Sequence, residues 1–262
     1  MKINLHSHTQ FCDGKSTMEE MLLSARSAGF NIWGFTPHGP INVDSPCNMK
    51  GVDVNHYLEE IERLRPLFPE IKILAGMEID YIDKKNGPHS SYVKGYGLDY
   101  IIGSIHFIPN QKNEFHDIDG SPERFKNTLQ NHFDNDLNYI VETFWQQTHD
   151  MIEAGGFDLI GHIDKIALNA SFINPGIEQN SHYLQLANDT INLAINKGLA
   201  VEINTKHFKK YGRFFPHQRF WPHIIRAGIP APINSDAHYA HLVEAGITEA
   251  KVVWDKLKGK IE

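Results

Sequence analysis

The sequence has little cysteine and no long apolar stretch, and both shortages narrow the class of protein. Cys12 and Cys47 are its two cysteines, too few for a disulfide framework, which favours a reducing compartment. No apolar run approaches the roughly 20 residues that cross a bilayer. Lys2 already belongs to the first predicted strand, which leaves no room for a signal peptide. We therefore expect a cytoplasmic protein.

Positive charge is also scarce. With 25 Lys and Arg against 32 Asp and Glu, the formal net charge is -7 and the pI is near 6.1. This balance argues against a dominant nucleic-acid surface, which usually needs a basic patch. We see no internal repeat, low-complexity tract or linker, and the hydrophobic content of 41% is ordinary for a globular protein. The sequence therefore predicts one domain over residues 1–262 that acts on a small molecule, with neither nucleic acid nor membrane as partner.

Short apolar segments alternate regularly with amphipathic ones along the chain. The predicted strands cover residues 2–5, 32–36, 71–75, 100–105, 158–161, 199–204 and 229–233. The predicted helices cover residues 17–29, 53–68, 136–154, 180–197, 217–227 and 248–257. Seven strands alternating with helices predict an α/β fold with a parallel sheet and crossover connections. Residues 109–133 form the longest insertion, a polar segment that we expect to be a loop over the mouth of the sheet.

Metal-ligand side chains cluster where the predicted strands end. His6-Ser7-His8 follows the first strand, and its two imidazoles point to one side because strand side chains alternate with a period of two. The full candidate set is His6, His8, Asp13, His38, Glu78, His106, His162, Asp236 and His238. Six strand ends can converge on one point only at the mouth of a closed barrel, so closure is favoured over an open sheet.

This set predicts a metal centre. A single histidine near a strand end is more often structural or solvated, and the histidines without an assigned role are His56, His132, His149, His182 and His241. Nine ligand-type residues exceed the roughly four to six ligands of one ion, so two or three ions are expected. Without cations, the cluster would hold repelling carboxylates and poorly solvated imidazoles. Mixed nitrogen and oxygen ligands admit Zn²⁺, Mn²⁺ or Fe²⁺.

The ordered motifs His-x-His, Thr-Pro-His, Gly-x-Glu, Gly-Ser-x-His, Gly-His-x-Asp and Ser-Asp-Ala-His resemble those of the polymerase-and-histidinol-phosphatase (PHP) superfamily. They span nearly the whole chain in the expected order. The resemblance implies a distorted (β/α)7 barrel, similar to a TIM barrel, with three metal ions. It implies a first ion among His6, His8, Glu78 and Asp236, a second held by Glu78, His106 and His162, and a third held by Asp13, His38 and His238.

Within the superfamily, the chain most resembles the histidinol-phosphate phosphatase branch. The resemblance rests on the segments GSIHFI at 103–108, GHID at 161–164 and EINT at 202–205. Asn234 stands where that branch tends to have glycine. Lys206, Lys209 and Lys210 follow the EINT segment, where arginine is usual. Lysine binds phosphate as a point charge and lacks the bidentate fork of arginine.

The resemblance implies hydrolysis of a phosphate monoester, L-histidinol phosphate above all, in histidine biosynthesis. We hypothesise that a water is activated by the metals beside Glu78, and that Asp236, His238 or a metal-bound water protonates the leaving group. The basic residues expected to contact phosphate are Lys165, Lys206, Lys209 and Arg213. The insertion residues expected to contact a cationic substrate are His116, Glu114 and Asp117.

Other functions stay open at this point. The same metals would serve to hydrolyse nucleotides, oligonucleotides or protein phosphotyrosine. The negative net charge and the lack of a basic groove with aromatic residues argue against nucleic-acid substrates. A non-catalytic metal-binding regulatory module is a further alternative, disfavoured because all nine ligand-type residues are present.

Overall fold

The computed structural model describes residues 1–43 and 45–261. Its strands are β1 (Ile3–Asn4), β2 (Ile32–Phe35), β3 (Lys72–Asp80), β4 (Tyr100–Ser104), β5 (Phe107–Pro109), β6 (Phe115–Asp117), β7 (Leu159–Ile160), β8 (Ala200–Val201), β9 (Ile203–Asn204) and β10 (Ile233–Asn234). Its α-helices are α1 (Met18–Ser27), α2 (Val54–Leu64), α3 (Ser91–Lys94), α4 (Pro122–His132), α5 (Leu137–Ala154), α6 (Ile166–Ile173), α7 (Ser181–Asn196), α8 (Phe208–Tyr211), α9 (Trp221–Ala227) and α10 (Ile247–Lys258).

All strands except β5 and β6 contribute to a ring of parallel neighbours. Hydrogen bonds order six of them as β1-β2-β3-β4-β7-β8, all parallel. Strands β8 and β9 flank Glu202, and β9 pairs in parallel with β10. A parallel bridge between Ser7 and Ala237 joins the chain after β1 to the chain after β10, where His8 N donates to Ala237 O at 2.9 Å. The predicted α/β barrel with seven strand positions is therefore confirmed.

Two asparagine side chains close the seam between β1 and β10. Leu5 N donates to Asn234 Oδ1 at 2.7 Å, and Ser235 N donates to Asn4 Oδ1 at 2.8 Å. Both asparagines are fully buried. Because these strands are only two residues long, their amide side chains satisfy backbone donors that a longer ladder would have paired. Residue 234, a departure from the branch pattern, thus has a structural role that glycine lacks.

Helix starts follow the capping chemistry of the sequence. Thr17 caps α1 in a capping box, with Glu20 N donating to Thr17 Oγ1 at 3.2 Å and Thr17 N donating to Glu20 Oε2 at 2.7 Å. Asp136 caps α5 and Asn180 caps α7 through their side-chain oxygens. Asp53 precedes α2, but its side chain makes no capping hydrogen bond. The helices bury their apolar faces against the barrel and hold its strand ends in place.

The insertion over residues 109–133 is more ordered than expected. Strands β5 and β6 form an antiparallel hairpin, and α4 follows with Ser121 as its cap. The expectation of a loop is corrected because Phe125 and Leu129, one helical turn apart, are buried under this helix. The hairpin and α4 place a fixed wall beside the barrel mouth.

Across residues 1–43 and 45–261, every helix falls short of the length or the apolar character needed to cross a bilayer.

Candidate metal centre

The first two imidazoles converge at the end of β1. His6 Nε2 and His8 Nε2 lie 3.1 Å apart, and both rings are buried. The two residues point to the same side, as the alternation of strand side chains predicted. Asp236 Oδ1 approaches from the segment after β10, 3.2 Å from His8 Nε2 and 3.8 Å from His6 Nε2. The barrel seam thus brings opposite ends of the chain to one point.

Glu78 extends this group from within β3. The strand is longer than predicted, so Glu78 lies inside it and is fully buried. Glu78 Oε2 lies 3.3 Å from His6 Nε2 and 3.1 Å from His38 Nδ1, while Oε1 lies 2.9 Å from His162 Nε2. Ser104 Oγ donates to Glu78 Oε1 at 2.6 Å. The carboxylate therefore spans two neighbouring groups of imidazoles.

All nine predicted ligand residues come together at the barrel mouth. Four groups have ligand atoms within 4.8 Å of one another: His8, Asp13, His38 and His238; His6, Glu78 and His162; His6, His8 and Asp236; and His38, Asp80 and His106. Asp13 and His238 are partly exposed, and the other predicted members are buried. These four groups overlap with the three ligand sets that the resemblance implies. They differ in that Asp80 is added and that His6, His8 and His38 each belong to two groups.

The donor atoms fit divalent cations. Within the described chain, five atoms of the predicted set are buried without a hydrogen-bond partner: Asp13 Oδ1, His38 Nδ1, Glu78 Oε2, His162 Nε2 and Asp236 Oδ1. Ligands about 2.0–2.1 Å from one tetrahedral ion lie about 3.3 Å apart, close to the separations above. Orphaned buried acceptors are costly unless a cation engages them. The clusters could therefore hold metal ions.

A second layer of carboxylates orients the imidazoles. Glu202, fully buried between β8 and β9, accepts from His6 Nδ1 at 2.8 Å and from His162 N at 3.0 Å. Asp80 Oδ1 lies 2.9 Å from His106 Nδ1. Each contact leaves the Nε2 atom facing the centre, as in carboxylate–histidine–metal arrangements. Sequence reasoning assigned these residues no role, although Glu202 stands in the EINT segment and Asp80 two residues after Glu78.

Local charge sets the protonation of the imidazoles. Burial acts to lower the pKa of His6, but carboxylates, foremost Glu202, raise it well above its ordinary value. Burial lowers the pKa of His8 well below its ordinary value, helped by neighbouring imidazoles. Burial, then Lys165, lowers the pKa of His162 to about 4. Neutral imidazoles are what coordination requires, and a cation would neutralise the carboxylates around His6.

The central carboxylates are held ionised. Burial acts to raise the pKa of Glu78, but nearby imidazoles, foremost His6, hold it well below its ordinary range. Burial acts likewise on Asp236, whose pKa is held well below its ordinary range by Lys206 and His6. Asp236 also has a φ of 49°, a left-handed conformation that is unusual for a non-glycine residue. Such strain is typical of functional sites, where surrounding contacts hold a side chain in place.

A cavity of about 320 Å³ opens beside the partly exposed members of the centre. Asp13, His38, His106 and His238 form its floor. The loop after β9 and helix α8 contribute four more wall residues, Lys206, His207, Lys210 and Tyr211, and the insertion contributes Asp117, Asp119 and Arg124 among others. Burial, then the neighbouring Asp119, raises the pKa of Asp117. The cavity therefore joins the centre to both basic and acidic groups.

Two of the predicted phosphate contacts lie at the centre. Lys206 Nζ lies 3.1 Å from His238 Nε2 and 3.5 Å from Asp236 Oδ1. Lys165 is buried, with Nζ 3.3 Å from His106 Nε2 and 2.7 Å from Asp119 Oδ2. Both lysines place positive charge beside the candidate ligands.

Three other residues predicted to contact substrate, Arg213, Lys209 and His116, lie outside the wall of this cavity. Arg213 is buried in an internal network, with Nη2 2.7 Å from Asp164 Oδ2 and Nη1 bonded to Glu178, because two buried acids require a counter-charge. Lys209 is exposed and, unlike Lys210, is not part of the cavity wall. His116 stacks on His132 with ring centroids 3.9 Å apart, also away from the wall.

Comparison with known proteins agrees with this architecture. The PHP domain family matches residues 4–206. A Schizosaccharomyces pombe protein named "Probable histidinol-phosphatase" is 28% identical, over 98% of this chain and 87% of that protein. A Listeria monocytogenes crystal structure, provisionally named a histidinol phosphatase, aligns with a TM-score of 0.82 at 20% identity, covering 95% of this chain and 99% of the other.

A second solved structure carries ligands. It is histidinol phosphate phosphatase from Lactococcus lactis, complexed with zinc, L-histidinol and phosphate, and it aligns with a TM-score of 0.66 at 18% identity. The alignment covers 98% of this chain and 93% of that one. At these identities the two solved structures establish the shared barrel. With the family match over most of its length, the chain belongs to the PHP domain family.

Proposed function

We propose that the chain is a metal-dependent phosphomonoesterase that hydrolyses L-histidinol phosphate to L-histidinol and phosphate. The observation that carries this proposal is the convergence of nine imidazole and carboxylate side chains beside a cavity whose wall also bears Lys206 and Lys210. The names of the S. pombe and L. lactis proteins support this choice of substrate. The reaction would belong to histidine biosynthesis.

The proposed metal ligands are the sets that the resemblance implies, and the distances support them. His6, His8, Glu78 and Asp236 would hold one ion, since their facing atoms lie 3.1–3.8 Å apart. The residues proposed for a second ion are Glu78, His106 and His162, and those proposed for a third are Asp13, His38 and His238. Zinc is the first candidate, because the L. lactis structure contains it, and nitrogen and oxygen ligands also suit manganese and iron.

The chain's own groups would divide the work of hydrolysis. Bound divalent ions supply Lewis acidity, which lowers the pKa of water and neutralises phosphoryl oxygens. Glu78, ionised and aimed by Ser104, would orient the attacking water. Asp236 and His238, which stand beside Lys206, would help to transfer a proton to the leaving alcohol. Lys206 would also place its ammonium group against the phosphate, as would Lys165 from its position beside His106.

Cytoplasmic location and a single domain over residues 1–262 complete the proposal. Cys12 and Cys47 are both free thiols, which suits a reducing compartment. The barrel seam joins residue 7 to residue 237, so most of the chain contributes to one ring of strands.

A substrate panel tests the function. Protein loaded with zinc or manganese is assayed with histidinol phosphate, a nucleoside monophosphate, phosphotyrosine and a short oligonucleotide. We expect the highest kcat/KM for histidinol phosphate, and loss of turnover in His8→Ala and Asp236→Ala with the fold retained by circular dichroism. Faster hydrolysis of another member of the panel would replace the substrate. No turnover by metal-loaded protein would favour a metal-binding regulatory module.

A further inference from the structure

Asp117 brings a carboxylate to the cavity wall beside the candidate metal centre, not within it. It ends β6, where its partner across the hairpin is Phe107, the residue next to His106. Ile118 N donates to His106 O at 2.9 Å and anchors this end of the hairpin. Asp117 Oδ1 accepts from Asp119 N at 2.7 Å, which fixes the direction of the carboxylate. The other oxygen, Oδ2, is available for a charged partner.

That partner in the structure is Arg124, and the pair is weak. Arg124 Nη2 donates to Asp117 Oδ2 at 2.8 Å, but the arginine side chain is 50% exposed. Water and salt screen the exposed guanidinium, so the pair contributes little to stability. A cation that enters the cavity can therefore replace the guanidinium with little loss.

The neighbouring acid is not available in the same way. Asp119 Oδ2 lies 2.7 Å from Lys165 Nζ, and this lysine is buried. Lys165 Nζ also lies 3.3 Å from His106 Nε2, so the pair is tied to the centre. Of the two insertion carboxylates on the wall, Asp117 is the one whose counter-ion is exposed and replaceable.

The cavity wall carries charges of both signs. Lys206 and Lys210 lie on the wall formed after β9, and Lys206 reaches His238 at the floor. Asp117 lies on the wall formed by the insertion. An ester with a phosphate at one end and an ammonium group on its alcohol portion matches this distribution, whereas an uncharged alcohol leaves Asp117 paired with Arg124.

Resting on the proposed function, we propose that Asp117 determines specificity by binding the ammonium group of the substrate's alcohol portion, at the position that Arg124 occupies in the structure. The substrate class is then phosphate monoesters of amino alcohols. Arg124 acts as an exchangeable counter-ion that keeps the carboxylate ionised.

Kinetics on matched esters test this assignment. Phosphoethanolamine and propyl phosphate differ by an ammonium group in place of a methyl group, and histidinol phosphate is the third substrate. In Asp117→Asn, which retains the acceptor for Asp119 N, kcat/KM for the two cationic esters should fall about 10-fold to 100-fold, mainly through KM. For propyl phosphate it should change less than about 2-fold. An equal loss for all three esters would overturn the assignment.

A binding experiment separates this inference from the phosphatase activity. Calorimetry compares L-histidinol with its analogue lacking the amino group, on wild-type and Asp117→Asn protein. We expect wild-type protein to prefer L-histidinol by about 10-fold or more, and the variant to lose that preference. Equal affinity of wild-type protein for both alcohols would refute the role of Asp117, even if hydrolysis were confirmed. The preference would stand as support even if none of the esters were hydrolysed.

Two further variants isolate the cause. Glu123→Gln removes the same charge from an exposed position next to Arg124, outside the cavity wall, and should leave the preference unchanged. Arg124→Gln removes the exchangeable counter-ion and should lower KM for cationic esters about 2-fold to 5-fold, since the exposed pair is weak. If Glu123→Gln also lost the preference for cationic ligands, the overall negative charge of the protein would explain it instead of a contact at Asp117.

Discussion

At the level of single side chains, the candidate metal ligands could be predicted from the sequence better than the carboxylates that orient them. His6 and His8 could be predicted to converge because strand alternation is a local rule. Glu202 could not, because it reaches His6 across 196 residues of chain, and only the barrel makes them neighbours. The internal position of Arg213 could not be predicted for a related reason: its carboxylate partners, Asp164 and Glu178, lie on distant segments.

Replacing Glu202 should weaken metal binding without removing a ligand. In Glu202→Gln an amide faces the His162 N–H and the Asn204 side-chain N–H, which both donate to the carboxylate, and His6 loses its charged anchor. Changes of this kind typically cost about 10-fold to 100-fold in metal affinity. Zinc titration against a competing chelator measures it.

A matched control is Glu142→Gln. Glu142 pairs with His182 at 3.0 Å on the surface, so the substitution removes a similar carboxylate–imidazole contact away from the centre. Zinc affinity should stay unchanged there. If both variants weakened zinc equally, net charge would explain the effect and the orienting role of Glu202 would be rejected.

Among the secondary-structure elements, boundaries with strong local chemistry were predicted well. The starts of α1, α5 and α7 follow the caps Thr17, Asp136 and Asn180. The predicted strand over residues 229–233 is reduced to Ile233–Asn234 because Pro230 and Pro232 have no N–H to donate to a ladder. The hairpin and α4 were missed because the polar composition of the insertion hides its few buried residues.

Acid should destabilise the short helical turn Gln218–Phe220. His217 precedes it, and Nδ1 accepts from Arg219 N at 3.1 Å. Burial, then Arg213, lowers the pKa of His217 from 6.5 to about 4. The unfolded chain binds a proton near pH 6.5, whereas the folded protein resists protonation until about pH 4. Stability from the neutral ring is therefore present above pH 6.5 and is lost as the pH falls toward 4.

The variant His217→Asn keeps a capping acceptor that does not titrate. Between about pH 7 and pH 5, its Tm should fall less than that of the wild-type protein, because the unfolded variant gains no proton at this position. Thermal unfolding followed by circular dichroism at several pH values, on metal-depleted samples of both proteins, gives the two slopes. If Tm fell equally with pH in both proteins, protonation of His217 would not explain the loss of stability.

For the protein as a whole, metal removal should reduce stability. Cations that bind the folded centre at 100 times their Kd contribute about 2.7 kcal/mol. At roughly 2–4 °C per kcal/mol for a chain of about this size, chelation should lower Tm by about 5–10 °C, and zinc should restore it. Scanning calorimetry measures the shift. A Tm that chelator does not change would contradict the proposed metal centre. A single cooperative unfolding transition would support one domain.

The contact between β1 and β10 has a consequence for how the protein folds during its synthesis. During synthesis, His6 and His8 leave the ribosome more than two hundred residues ahead of Asp236 and His238. The hydrogen bonds of Asn4 and Asn234 that align these residues need both β1 and β10. The nascent chain therefore cannot bring all its candidate metal ligands together until β10 docks against β1. Complete loading therefore requires the final strand, and a chain cut short before residue 233 lacks two of the nine candidate ligands.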